Sequence, residues 1–183
     1  MCSSKMRPDS AHVFWLFGLS GAGKSTLAEL LAAELRNRNI PVLALDGDNV
    51  RSGLCHGLGY TDTDCAENLR RAAEAARLGV RSGLCVVASF ITPLESHRQL
   101  VADILNPYLS FVHVSAPLDV CRARDVKGLY AGAKSGKVPQ MTGVSSGFES
   151  PNRTELTLLT AQQSVPTSAA QFLEYTVLRL ASR

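Results

Sequence analysis

Gly18, then four residues, then Gly23-Lys24-Ser25 is a spacing with one well-defined chemistry. Glycines at 18, 21 and 23 allow successive backbone N–H groups to converge on a phosphate with no Cβ in the way. A helix that begins at the loop adds its unpaired amides and its dipole at the same spot. Lys24 is placed to meet β- and γ-phosphate charge, and the Ser25 hydroxyl to ligate Mg²⁺. The nucleotide-binding set is Gly18, Ser20, Gly21, Ala22, Gly23, Lys24, Ser25 and Thr26, and ATP with Mg²⁺ is the implied cofactor pair.

A second chemical cluster is Asp46-Gly47-Asp48-Asn49, which follows the short apolar run 42–45. In an open parallel sheet the strands' carboxyl ends face the ligand crevice, so both carboxylates are expected near the phosphates. Asp46 and Asp48 are therefore candidate catalytic groups, able to orient an acceptor hydroxyl, take its proton, or hold Mg²⁺ through water; Asp46 and Ser25 are the metal-side candidates. The competing expectation is that Asp48 or Asn49 caps a helix running through 51–54. Ser89-Phe90-Ile91-Thr92-Pro93 ends another apolar run, with Phe90 or Ile91 available to wall a base and Ser89 or Thr92 to donate a hydrogen bond.

The elements that must carry these clusters follow from periodicity. Apolar strands are expected over 12–17, 42–45, 84–89, 110–114 and 155–159. Helical spacing predicts helices over 26–39 (stripe Leu27, Leu30, Leu31, Leu35), from 61–64 to about 81, over 94–104, from 117, and over 168–180 (stripe Ala169, Phe172, Leu173, Val177, Leu180). Asn68 lies on the apolar side of the second long helix, near its start. His113 sits inside a strand, as a core histidine would. The stretch 127–151 is rich in Gly, Ser and Lys and reads as a lid, whose Lys127, Lys134 and Lys137 could meet phosphates on closure and shield the transferred group from water.

The expected fold is α/β, a three-layer sandwich of the P-loop NTPase type around a five-stranded parallel sheet with a mobile lid. Residues 1–11 read as a disordered tail and 12–183 as a single domain, large enough at this length to bury a core. A net charge of +3 is too small for a nucleic-acid surface and suits a small anionic substrate. Five scattered cysteines without a C-x-x-C pair, and no apolar stretch long enough to span a bilayer, point to a reduced, cytoplasmic protein with no membrane partner. His56 has no ligand-spaced partner for a metal.

GLSGAGKSTLA, LDGDNVRSGL, LGYTDTD, ENLRR, SFITP, CRARDVKGLY and MTGVSSGFESP occur in the order and spacing of the adenylylsulfate kinases, and the chain resembles that family from about 13 to 159. The resemblance implies transfer of the γ-phosphoryl of MgATP to the 3′-hydroxyl of adenosine 5′-phosphosulfate (APS). It implies that Asp46 is the catalytic acidic residue and that Arg51 and Asn68 contact the phosphosulfate substrate. Tyr60 takes the place of a phenylalanine on the substrate adenine, Ile91 matches another wall of that pocket, and Thr92 takes the place of a serine. Arg124 and Asp125 begin the lid segment on the ATP side, Lys127 follows within it, and a homodimer is implied.

Three acceptor-side positions depart from the pattern. Cys65 stands where the family carries an arginine, Ala131-Gly132 where it carries a lysine pair, and Met141 where a phenylalanine stacks on the substrate base. A thiol cannot imitate the planar fork a guanidinium offers to oxyanions. Two alternatives follow: a relative acting on another nucleotide-linked alcohol, such as cytidine diphosphoramidate, or a non-catalytic nucleotide-binding module. Retention of Lys24, Ser25, Asp46 and Asp48 together opposes the second.

Overall fold

The computed structural model describes residues 11–125, 128–134, 142 and 147–182. Lys127, Lys137 and Met141, and nearly all of the N-terminal stretch expected to be a tail, lie outside the described residues, and of Lys134 only the backbone is described. Five strands form one sheet: β1 (Val13–Phe17), β2 (Val42–Asp46), β3 (Cys85–Ser89), β4 (Leu109–Ser115) and β5 (Leu156–Leu159). All neighbours are parallel, in the order β2-β3-β1-β4-β5. The helices are α1 (Lys24–Asn37), α2 (Gly47–Ser52), α3 (Asp62–Arg81), α4 (Glu95–Leu105), α5 (Leu118–Arg124), α6 (Leu129–Lys134) and α7 (Val165–Ala181).

Both faces of the sheet are covered, which is why β1 is apolar at every position and fully buried. Because strand side chains alternate, Val13, Trp15 and Phe17 join one core with Leu69, Ala73, Ala76 and Val101 from α3 and α4. Phe14 and Leu16 join the other, with Leu27, Leu31, Leu35 and Phe172 from α1 and α7. Leu30 falls off the expected α1 stripe and is 44% exposed. On α7 the expected stripe docks through Phe172, Ala169, Leu173 and Leu180, joined by buried Ser168 and Thr176, while Val177 falls off it at 38% exposed.

Three local expectations are corrected. Helix α2 starts at Gly47, and its N-cap is Asp46, which accepts from the Asp48 amide at 3.0 Å; neither Asp48 nor Asn49 is the cap. Pro166 lies in the first turn of α7, where its missing N–H costs nothing, so the helix begins before it. The stretch read as an irregular lid contains α6, which Asp125 starts by accepting from the Tyr130 and Ala131 amides, each at 3.0 Å.

Strand register sets the height of the site. Asp46 is level with Ser89, and Ser89 with Leu16, so the acidic end of β2 sits beside the loop that leaves β1.

Candidate active site

The loop between β1 and α1 takes its shape from its glycines. Gly18 has φ +146°, and a Cβ there would lie 2.3 Å from the Val114 carbonyl oxygen; one on Gly21 (φ +78°) would lie 2.9 Å from that of Cys121. Gly23 (φ +101°) caps α1 in the left-handed region with nothing within 4 Å of its Cβ position, leaving that side open to a ligand. The Lys24 ammonium donates to the carbonyls of Gly18 (3.0 Å) and Leu19 (2.8 Å), poised at the mouth of the loop.

Asp46 reaches this loop across one intervening strand, β3. Its Oδ2 accepts from the Ser25 hydroxyl and from the Ser89 hydroxyl, both at 2.8 Å, while Oδ1 accepts the Asp48 amide. These donors fix the carboxylate's orientation. Ser25 and Asp46 thus offer paired hard oxygen donors, which fit Mg²⁺; the described residues hold no cluster of three or more His, Cys, Asp or Glu side chains for a metal. Asp48 itself stands exposed at the rim.

On the other flank of the loop, Arg124 donates to the Gly21 carbonyl (3.3 Å) and to the Thr160 carbonyl (2.6 Å), and the Thr160 hydroxyl donates to the Ala22 carbonyl (2.7 Å). The Tyr130 hydroxyl donates to the Ser20 carbonyl at 3.0 Å. A cavity of about 230 Å³ lies here, lined by Gly21, Gly23, Thr26, Arg124, Thr160 and Gln163 among others. Thr160 and Tyr130 were not singled out from the sequence. The position of Thr160 just after β5 is the strand-end signal that would have found it; a lone Tyr in α6 carries no such signal.

The acceptor-side residues gather beyond Asp46. Arg51 donates to the Gly59 carbonyl (2.9 Å), reaches the Cys65 sulfur at 3.7 Å, and lies over the Tyr60 ring at 4.4 Å. Tyr60 is 59% exposed, with its ring in contact with a cation rather than buried among apolar groups. Burial pushes the Cys65 thiol up from its ordinary value and Arg51 pulls it back only in part, so a neutral thiol stands there at pH 7. Asn68 is buried, and its Oδ1 has no hydrogen-bond partner among the described residues. Cys55, Cys85 and Cys121 are buried free thiols raised by burial, Cys85 to about 12.

Ile91 and Thr92 are brought to the same wall but present different parts. Ile91 accepts from the Gly18 amide at 3.2 Å through its carbonyl and leaves its side chain half-buried. Thr92 has φ +45° and is turned inward, its hydroxyl accepting from the Trp15 indole at 2.9 Å. Phe90 belongs to the core, stacked on Trp15 at 4.8 Å and only 4% exposed. His113 is sandwiched between Phe17 (5.0 Å) and Phe148 (6.0 Å), and burial depresses its pKa.

The family model for adenylylsulphate kinase matches residues 10–159. Among curated relatives, the adenylyl-sulfate kinase of Shewanella denitrificans is 47% identical over 165 residues, covering 89% of this chain and 80% of the relative. That of Shewanella amazonensis is 43% identical, with 90% and 84% covered. Among solved structures, the Mycobacterium tuberculosis APS kinase CysC in complex with AMPPNP and APS superposes with a TM-score of 0.86 at 35% identity, covering 91% of this chain and 97% of that one. A gluconokinase from Sinorhizobium meliloti, at 18% identity and a TM-score of 0.59, shares the fold alone.

Proposed function

The chain belongs to the adenylylsulfate kinase family, and from that premise we propose that it transfers the γ-phosphoryl of ATP to the 3′-hydroxyl of APS, giving 3′-phosphoadenosine 5′-phosphosulfate and ADP. The observation that carries the mechanism is the Asp46 carboxylate held by Ser25 and Ser89 at the mouth of the phosphate loop.

Loop amides and Lys24 hold the β- and γ-phosphates, and the lysine neutralises charge that builds on the transferring oxygens. Mg²⁺, held by Ser25 with Asp46 nearby, would supply further charge neutralisation on the donor phosphates. Asp46 accepts the acceptor hydroxyl's proton, and the Ser25, Ser89 and Asp48 donors keep the carboxylate aimed. Arg51, Asn68, Tyr60 and Ile91 position the acceptor, with Thr92 setting the turn behind Ile91 and Lys127 and Met141 adding contacts from the lid segment. Arg124, with Thr160, borders the donor nucleotide. Asp48 at the rim supports Asp46 through its amide.

A homodimer is part of the proposal; a hexameric APS kinase from Thiobacillus denitrificans, 25% identical, supports oligomerisation within the fold family. Cytoplasmic residence is proposed on the four free cysteines among the described residues, and no described helix is long and apolar enough to cross a membrane.

The test is ADP release by the purified protein with MgATP and APS, beside a panel of other nucleotide-linked alcohols. Saturable, APS-dependent release is expected. Release with another alcohol and none with APS would overturn the acceptor, and silence with every acceptor would overturn the enzyme.

A further inference from the structure

Arg98, on α4, points back beneath the acceptor wall and is only 2% exposed. Its guanidinium donates to the carbonyls of Thr92 (3.1 Å), Pro93 (3.2 Å) and Glu149 (3.2 Å) and to the Glu95 carboxylate (2.8 Å), and it lies 5.3 Å from the Phe17 ring centre. Glu149 completes the tie, its amide donating to the Pro93 carbonyl (2.9 Å) and its carboxylate accepting from the Glu95 amide (2.5 Å).

A buried charge is a costly way to join two segments, since apolar packing does so at less expense in desolvation. What a planar fork adds is direction: it fixes three carbonyls from two separate stretches at once. The backbone it fixes is strained. Thr92 is β-branched, yet it has φ +45°, a conformation that persists only where its surroundings over-determine it. Trp15 holds the Thr92 side chain, Arg98 its carbonyl, and the Ile91 carbonyl receives the Gly18 amide, so the strained turn joins the acceptor wall directly to the first glycine of the phosphate loop.

We propose that Arg98 is a positioning residue for the acceptor: through the Thr92 and Pro93 carbonyls it sets the place of the Ile91 wall relative to the phosphate loop, and so selects how APS is presented to Asp46. This rests on the functional reading above. Arg98 touches no substrate, and its effect reaches the acceptor through backbone geometry.

The test is the KM for APS and for ATP in wild type, Arg98→Lys and Glu95→Ala, with unfolding by urea measured alongside. Lysine keeps the charge but loses the fork, so the KM for APS is expected to rise roughly tenfold, since misplacements of an ångström can cost up to about a hundredfold. The KM for ATP is expected to change less, staying within about twofold, because Arg98 reaches the donor loop one step further on, through the Ile91–Gly18 backbone bond. Glu95 is an exposed carboxylate, so Glu95→Ala decides the matter should Arg98→Lys fail to fold; it is expected to raise the KM for APS in the same direction and less. A lowered unfolding midpoint with both KM values unchanged would make Arg98 a structural tie only and overturn the proposal. If the wild type turns over no APS, the functional reading falls and takes this one with it; if it does and neither variant moves the KM for APS, the positioning role alone falls.

Discussion

The Ser25 hydroxyl donates to Asp46 Oδ2 at 2.8 Å, joining the first turn of α1 to the end of β2 across 21 residues of chain. Ser89 donates to the same oxygen from the strand between them. The donor loop and the acceptor base therefore share one hydrogen-bonded cluster, and a change at Asp46 is expected to act on chemistry first and, through Ser25, on the MgATP site as well.

Asp46→Asn keeps an oxygen that can cap α2, but its amide NH2 replaces the oxygen that accepts from Ser25 and Ser89, so unfolding is expected to shift by about 1–3 kcal/mol. Loss of the base should lower kcat by about 10²–10⁴-fold, a larger effect than any rise in the KM for MgATP that follows from the Ser25 contact. Steady-state ADP release measures both; near-normal kcat would remove Asp46 as the base.

Lys24→Ala should cut turnover by about 10²–10³-fold, the scale found when one donor to a developing oxyanion is removed. The protein should still fold, because the Gly18 and Leu19 carbonyls that the lysine meets lie in the loop, where water can serve them. Retained turnover would exclude Lys24 from the transfer step.

Cys65→Arg should lower the KM for APS, because a second guanidinium beside Arg51 adds charge-assisted bonds to the acceptor's anionic end. An unchanged or raised KM would show that the pocket has been rebuilt around the thiol and that Arg51, stacked on Tyr60, reads the anion alone.

Gly18→Ala and Gly23→Ala should part company. The first drives a methyl to 2.3 Å from the Val114 carbonyl oxygen and is expected to destabilise the fold by about 3 kcal/mol, the upper end of overpacking costs. The second meets open space, so the fold should survive with strain at φ +101° while ATP affinity falls. Urea unfolding and nucleotide titration separate the two.

Burial lowers the pKa of His97 and of His113 below the ordinary 6.5. The unfolded chain then binds protons first as pH falls, so the stability these residues give is whole above about 6.5 and is lost as pH drops through their folded values. The urea midpoint should decline between pH 7 and 5, and His113→Phe should flatten that decline. Glu67, held down to about 2 by the Arg70 and Arg71 guanidiniums, titrates outside this window. An equal slope in the variant would refute the assignment.

Much of this was legible in the chain itself. The glycine spacing of the phosphate loop, the apolar runs of the strands and the helical stripes are local patterns, and local sterics and burial enforce them wherever they occur. Asp46 could be placed at a strand's carboxyl end for the same reason. The side chains that aim the site were not legible. That Asp46, rather than Asp48, caps α2, that Thr92 turns inward to Trp15, that Arg98 ties 92–93 to 149, and that Arg51 lies on Tyr60 all depend on strand register and on contacts between residues far apart in sequence. Such contacts leave no periodic trace, because each is a single meeting decided only once the sheet has set the height of its loops.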